Sequence, residues 1–258
     1  MKNNKSLGQH WLKDRQILDE IAELALGDAP EDSLTEESRT CLEIGPGLGT
    51  LTSSLLRVFP RVVSVEFDER LANNLPKSFP GKNLEVINQD FLKFNLSTIP
   101  APYVIAGNIP YYITSPIIMK ILESENRPDR AVLLIQKEVA ERIAAGAGDH
   151  TVLSLSVQNL AKVQLGPVVK KELFTPAPKV DSQVIILDPI TTPAVSEDVI
   201  GFIKKGFSAP RKKLSKNLSF VEQVKLNAAF SDLGISENAR PADLALSEWR
   251  NLYQKIYQ

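Results

Sequence analysis

Seven short apolar runs dictate the architecture: "TCLEI" (40–44), "VVSVE" (62–66), "LEVIN" (84–88), "YVIAG" (103–107), "AVLLI" (131–135), "KVQLGPVVK" (162–170) and "SQVIIL" (182–187). The first five are near-continuous in apolar residues. Strands covered by helices on both faces of a parallel sheet read this way. Helices are expected to fill much of the space between the first six runs. Only a Pro-rich loop separates the last two, so an antiparallel hairpin is expected there. After "LDPITTPAV" (187–195) strand signals stop, and "SEDVIGFIKKGFS", "FVEQVKLNAAFSDLG" and "LSEWRNLYQKIYQ" read as helices. Pro189 and Pro193 mark the boundary, giving expected domains at 1–190 and 191–258. The second is small and expected to dock on the first, being marginal alone.

Composition removes several classes of chemistry. Cys41 is the only cysteine, and His10 and His150 are the only histidines. An internal disulfide, a CxxC metal site, a zinc deaminase and a Ser-His hydrolase are therefore hard to build, and no metal is expected. No apolar run approaches the roughly 18 residues of a membrane span. The polar start "MKNNKSLGQHWLKDRQ" lacks the apolar core of a signal peptide. A cytoplasmic protein without membrane attachment is expected. Formal net charge is −1, so any nucleic-acid surface must be a local patch.

The first strand runs into "LEIGPGLGTLT", with Gly45, Gly47 and Gly49 before a helix. Glycines permit a sharp turn and close approach of a ligand, although a plain strand-to-helix turn uses them too. The spacing is not that of a dinucleotide fold, and Pro46 removes an amide donor from any pyrophosphate cradle. Glu66 lies 21 residues beyond Gly45 at the end of the second strand, where an acid can accept both ribose hydroxyls. Its plain alternative is a helix-start charge, a role open also to Asp68. Asp90, after the third strand, can accept from an adenine amine, or cap a helix. Together these sites describe an adenosine crevice. A nucleoside without a required pyrophosphate suggests S-adenosylmethionine rather than NAD.

The fourth strand ends in "GNIPYYITSPI" (107–117). The exocyclic amine of adenine is a poor nucleophile, because its lone pair is delocalised into the ring. The side-chain carbonyl of Asn108 and a backbone carbonyl beside Pro110 can accept its two hydrogens and stabilise charge developing on nitrogen. Pro110 holds the turn, and Tyr111 offers a ring for a flipped base. The plain alternative is a Pro-stopped strand with packed tyrosines.

With these stretches in hand, the chain resembles the KsgA (RsmA) family of small-subunit rRNA adenine dimethyltransferases along essentially its whole length. The resemblance rests on "KSLGQHWLKD" (5–14), "LEIGPGLGTLT" (42–52), "VEFD" (65–68), "NQDFLKF" (88–94), "GNIPYYITSPI" (107–117), "IQKEVAERI" (135–143), "FTPAPKVDSQV" (174–184) and "RPADLALSEWRNL" (240–252). It implies a class I S-adenosylmethionine-dependent methyltransferase fold, a Rossmann-like α/β sheet with a small C-terminal helical domain. It also implies transfer of two methyl groups to each of two adjacent adenines in a hairpin near the 3′ end of 16S rRNA, within an immature 30S subunit; a monomer is expected. By motif, cofactor contacts fall on His10, Leu12, Gly45, Gly47, Glu66, Asp90 and Asn108, and the catalytic set on Asn108, Pro110, Tyr111 and Phe174. Phe174 would face the target base opposite Tyr111, although from its residues alone a Phe on a Pro-stiffened loop is more often a core anchor.

Candidate RNA contacts are Lys179 and the run "KKGFSAPRKKLSKNL" (204–218). The run carries Lys204, Lys205, Arg211, Lys212, Lys213 and Lys216 and no acid. Two departures from the family pattern touch RNA docking: "DHTVLSLS" puts His150 and Thr151 where Tyr-Gly is usual, and Pro210 displaces a basic residue. The rival readings are an Erm-type large-subunit rRNA adenine methyltransferase, which shares the cofactor and Asn-Ile-Pro-Tyr motifs, and a mainly non-catalytic assembly factor. "RPADLALSEWRNL" and "IQKEVAERI" favour the KsgA (RsmA) resemblance over both.

Overall fold

The computed structural model describes residues 10–27 and 39–257. Of the stretch 5–14, residues 5–9 lie outside the described residues. The chain forms two compact units, Met1–Ala140 with Lys162–Pro189, and Glu141–Ala161 with Ile190–Gln258.

The first unit is built on a short strand β1 (Trp11–Leu12), helix α1 (Arg15–Leu26), strand β2 (Thr40–Ile44), helix α2 (Thr50–Val58), strand β3 (Arg61–Glu66), helix α3 (Glu69–Asn74), strands β4 (Leu84–Asn88) and β5 (Tyr103–Asn108), helix α4 (Thr114–Glu123) and strand β6 (Arg130–Gln136). After the helical insertion come β7 (Ala161–Val169), β8 (Phe174–Thr175) and β9 (Ser182–Pro189). Seven strands form one sheet in the order β4-β3-β2-β5-β6-β9-β7. β2, β3, β4, β5 and β6 run parallel, and β9 returns antiparallel to β6. All seven expected strands form. The apolar run at 84–88 is only half-buried, since β4 is the sheet edge and has a neighbour on one side alone.

One connection departs from the expected alternation. Between β4 and β5 stand two 3₁₀ turns, Phe91–Lys93 and Leu96–Thr98, instead of a helix. Asp90 and Asn95 each cap one, accepting from the amides of Leu92 and Ser97. Pro100 and Pro102, which cannot donate helix hydrogen bonds, stop any extension.

The second unit holds α6 (Val152–Leu160), α7 (Glu197–Gly206), α8 (Leu214–Asn217), α9 (Gln223–Leu233) and α10 (Leu246–Tyr257) around Trp249, Phe202, Phe207 and Leu252. The joining helix α5 (Lys137–Ile143) crosses from one unit into the other. Gly206 is forced by packing, because a Cβ there would stand 2.3 Å from the Trp249 ring. A single cut at 190 assigns 141–161 to the sheet unit, but that segment packs with the helices. Leu155 is buried in their core, Asn159 accepts from the Val195 amide at 2.7 Å, and Ile190 donates to the Leu160 carbonyl at 2.9 Å. These pairings join residues some thirty positions apart, and no local pattern announces them. The "DHTV" departure has a structural use here. Thr151 caps α6 by accepting from the Ser154 amide at 3.1 Å, and His150 is buried beside it.

Among the described residues no helix is long and apolar enough to cross a membrane, and no group of three His, Cys, Asp or Glu is placed to hold a metal ion.

Candidate active site

Strand register lines up the expected residues. Ile44 pairs with Val65 on one side and Gly107 on the other, and Glu66 pairs with Asn88. Gly45, Glu66, Asn88 and Asn108 therefore form the next row, at the carboxyl ends of four parallel strands. The chain turns to β3 and β4 on one side of β2 and to β5 and β6 on the other, so a crevice opens between β2 and β5. A cavity of about 220 Å³ lies there. Its walls include His10, Gly45, Gly47, Glu66, Asp90, Asn108, Pro110 and Tyr111.

The glycines are needed for backbone reasons. Gly45 and Gly47 have φ of 63° and 59°, in the left-handed region. A Cβ at Gly47 would stand 2.9 Å from the Trp11 ring nitrogen, whereas at Gly45 the same position meets nothing within 4 Å among the described residues. Ligand atoms can thus approach the backbone at Gly45, while Gly47 is sealed by Trp11.

The two acids after β3 divide the roles that the sequence left open. Asp68 caps α3, accepting from the amides of Arg70 at 3.0 Å and Leu71 at 3.4 Å. Glu66 is free of that task. Its Oε2 accepts from Gly47 N–H at 3.0 Å and its Oε1 from Asp68 N–H at 2.8 Å. A carboxylate has about four acceptor positions, so both oxygens retain capacity toward a ligand. Burial raises the Glu66 pKa, and the two amides oppose that shift. Asp90 caps the turn through Oδ1 and also lines the cavity.

Asn108 is held from outside the sheet. Its Nδ2 donates to the backbone carbonyl of His10 at 2.8 Å, which leaves Oδ1 as the acceptor of a cavity-lining amide. The His10 ring stacks on Tyr111, centroids 5.8 Å apart and planes 23° off parallel, and its Nδ1 lies 2.8 Å from the Pro176 carbonyl. The Tyr111 hydroxyl meets Ser182 Oγ at 2.8 Å. Burial raises the Tyr111 pKa, so its phenol is neutral near pH 7.

Two expected residues stand elsewhere. Phe174 does not line the cavity. It pairs with Leu12 across the β1–β8 ribbon, and both side chains are buried in the sheet core. The ring is packed in the core, as a Phe on a Pro-stiffened loop more often is. Leu12 likewise gives the cavity no side chain, and the indole of Trp11 lines it instead. Lys179 is exposed in the loop before β9.

Sequence reasoning missed Trp11, Phe67, Leu92 and Tyr112, all in the cavity wall. Phe67 and Tyr112 are 62% and 63% exposed. Both had a legible signal. A Phe between Glu66 and Asp68 at a strand's end, and a second Tyr after Asn-Ile-Pro, have no core to enter. Apolar walls with acids at intervals suit a flat heterocycle on a sugar.

Glu43 was missed too. It is buried in β2, with Oε2 accepting from Thr52 Oγ1 and Ser64 Oγ, both at 2.7 Å, and Oε1 without a partner among the described residues. Burial raises its pKa from 4.5 to about 7. The folded state then binds more protons than the unfolded chain between those values, so this group's contribution is best below pH 4.5 and is lost as pH rises to about 7. Glu43→Gln keeps the volume and cannot ionise. Its stability relative to the parent should rise by about 3 kcal/mol between acid and mildly alkaline pH, the order expected for such a shift. Urea melts that give parallel pH profiles for the two proteins would contradict this.

The model of the ribosomal RNA adenine dimethylase family matches residues 1–258. Curated relatives named ribosomal RNA small subunit methyltransferase A include those of Gloeobacter violaceus, 40% identical over 98% of this chain and 93% of that protein, and Mycoplasmopsis synoviae, 38% identical over 95% and 93%. Among solved structures, a dimethyladenosine transferase from Plasmodium falciparum superposes with a TM-score of 0.78 at 28% identity, over 95% of this chain and 98% of that one. The 23S rRNA methyltransferase ErmE gives 0.76 at 28%, over 96% and 100%. The class I methyltransferase fold expected from the sequence is thereby established. With a family model spanning every position and relatives alike over nearly their full lengths, the chain belongs to the ribosomal RNA adenine dimethylase family.

Proposed function

We propose that this enzyme transfers methyl groups from S-adenosylmethionine to the N6 amines of two adjacent adenines in the 3′ hairpin of small-subunit rRNA, acting on an immature 30S subunit. The observation that carries the reading is the fixed amide of Asn108. With Nδ2 bound to the His10 carbonyl at 2.8 Å, Oδ1 is committed to accepting. The Pro110 carbonyl already takes the Ile113 amide at 3.2 Å and the Thr114 hydroxyl at 3.4 Å. The Ile109 carbonyl, fixed by the Pro110 ring, is therefore the second acceptor in this reading. Two acceptors pull electron density toward the amine nitrogen and stabilise its positive charge as the new bond forms. The product's proton is acidic once nitrogen is cationic, so no general base is required.

The residues present fit the cofactor. Glu66 has acceptor capacity for ribose hydroxyls, Asp90 has Oδ2 for an adenine amine, and the open space at Gly45 admits the rest. When bound, S-adenosylmethionine supplies an electrophilic methyl on a sulfonium.

The names of the curated relatives favour the small subunit over the Erm-type alternative, and an intact Asn108–Tyr111 constellation speaks against a purely non-catalytic assembly factor. Mass spectrometry of small-subunit rRNA after incubation with enzyme and cofactor tests the proposal. Two adjacent dimethyladenosines are expected. Methylation confined to large-subunit rRNA would overturn it.

For RNA contact the helical unit offers its basic run. Lys204, Lys205, Arg211, Lys212, Lys213 and Lys216 are all exposed. Asn217 clasps the turn that carries them, donating to the carbonyls of Gly206 at 2.6 Å and Ala209 at 3.0 Å. Lys204 and Lys205 also complement the carbonyl end of α7, and Lys205 lies 5.3 Å from the Phe220 ring centre. Arg211, Lys212 and Lys213 stand outside any helix, so we assign phosphate contact chiefly to them. Reversing Lys212 and Lys213 to Glu should weaken subunit binding and lower its salt slope by about 2. A slope equal to the parent's would make the run a solvated face only.

A further inference from the structure

We propose that Ser182 is a positioning residue for the methyl-acceptor base, acting through the phenol of Tyr111. This rests on the adenine reading above. Because β9 runs antiparallel to β6, its first residue lies at the carboxyl end of the parallel strands, where Ser182 pairs with Gln136. Ser182 is fully buried, and its hydroxyl lies 2.8 Å from the Tyr111 oxygen. Among the described residues Tyr111 is the side-chain partner of this buried hydroxyl, so each group satisfies the other inside the protein.

What Tyr111 gains is a fixed ring axis, about which the stacked His10 ring sets the plane. It stands in a short 3₁₀ turn, Tyr111–Ile113, after Pro110, so its backbone alone restrains the ring weakly. The His10 ring covers one face at 5.8 Å, which leaves the opposite face for a flat substrate. His10 also carries the carbonyl that orients Asn108. The tilt of Tyr111 and the direction of the Asn108 amide are thus set against the same residue, and Ser182 pins the far end of the ring. A base stacked on the open face then presents its amine toward Asn108, within the narrow tolerance that in-line transfer requires.

The test is a double-mutant cycle on Tyr111→Phe and Ser182→Ala. It reads single-turnover methylation of small subunits at saturating cofactor, cofactor affinity by calorimetry, and quenching of 2-aminopurine placed at the target position. Each single variant should lose about three- to tenfold in rate, the range of one net hydrogen bond, and the double variant no more than the worse single. Quenching should weaken in all three, and cofactor affinity should stay at the parent's value. Losses that multiply, or a Ser182→Ala protein with the parent's rate and quenching, would overturn the proposal. So would a loss of cofactor affinity in step with rate, the mark of a merely structural serine. If Ser182→Ala fails to fold, Tyr111→Phe decides from the other end of the same bond. A parent enzyme without methyl transfer would defeat the proposed function instead, while the quenching data would still report on Ser182.

Discussion

Replacing Asn108 by Ala is expected to slow methyl transfer by about 10²–10³-fold, or about 3–4 kcal/mol, the loss typical of one donor or acceptor aimed at developing charge in a dry site. The amide of Asn108 bridges the His10 carbonyl and the cavity, at 2.8 Å on the His10 side. Removing it takes away an acceptor for the target amine and leaves the His10 carbonyl without that donor. Because charge on the nitrogen appears only as the methyl group moves, the loss should fall on the chemical step and little on RNA binding. Asn108→Asp sharpens the test. A carboxylate accepts well but cannot donate to the His10 carbonyl, so two acceptors would confront each other at that contact. Single-turnover rates with binding measured separately decide the matter. An Asn108→Ala enzyme of parental rate would remove the proposed activation of the amine.

The second large effect concerns the cofactor. Glu66→Ala should weaken S-adenosylmethionine binding roughly ten- to hundredfold, since hydroxyl donors lose a charged, buried acceptor worth about 1.5–3 kcal/mol. The structure adds a second reason. Glu66 also accepts from Gly47 N–H at 3.0 Å, so the variant releases the glycine loop. pH dependence follows from the same group. Burial raises its pKa, and the protonated form is the poorer acceptor, so affinity should fall as the solution is acidified through that pKa and level off above it. Glu66→Ala should flatten this part of the profile. Glu43 and Asp68 interact electrostatically with Glu66, and Asp90 lines the same cavity, so Glu43→Gln and Asp90→Asn serve as controls. Calorimetry showing parental affinity in Glu66→Ala would withdraw the ribose assignment.

Period and composition made much of this molecule legible. Short, near-continuous apolar runs separated by helical patterns read as buried parallel strands, although 84–88 at the sheet edge is only half-buried. Gly45, Gly47, Glu66 and Asn108 were legible because each strand's last residue must lie at the sheet's carboxyl edge, whatever the details of packing. What sequence alone could not decide were choices made by distant partners. Asp68 and Glu66 are equivalent acids until the start of α3 claims one of them as its cap. Phe174 reads as a platform or as an anchor until β8 pairs with β1 and its side chain is buried in the sheet core. Segment 141–161 belongs to the helical unit because Leu155 enters its core and because Gly148, His150, Asn159 and Leu160 bond to residues beyond 189. The Tyr111–Ser182 contact spans 71 positions and exists only because an antiparallel strand brings its first residue to the edge where the parallel strands end. Local sequence sets which groups reach that edge, because backbone geometry repeats every few residues. Long-range pairing sets which of them are already taken, because a donor or a ring face can serve only what folding has put within reach.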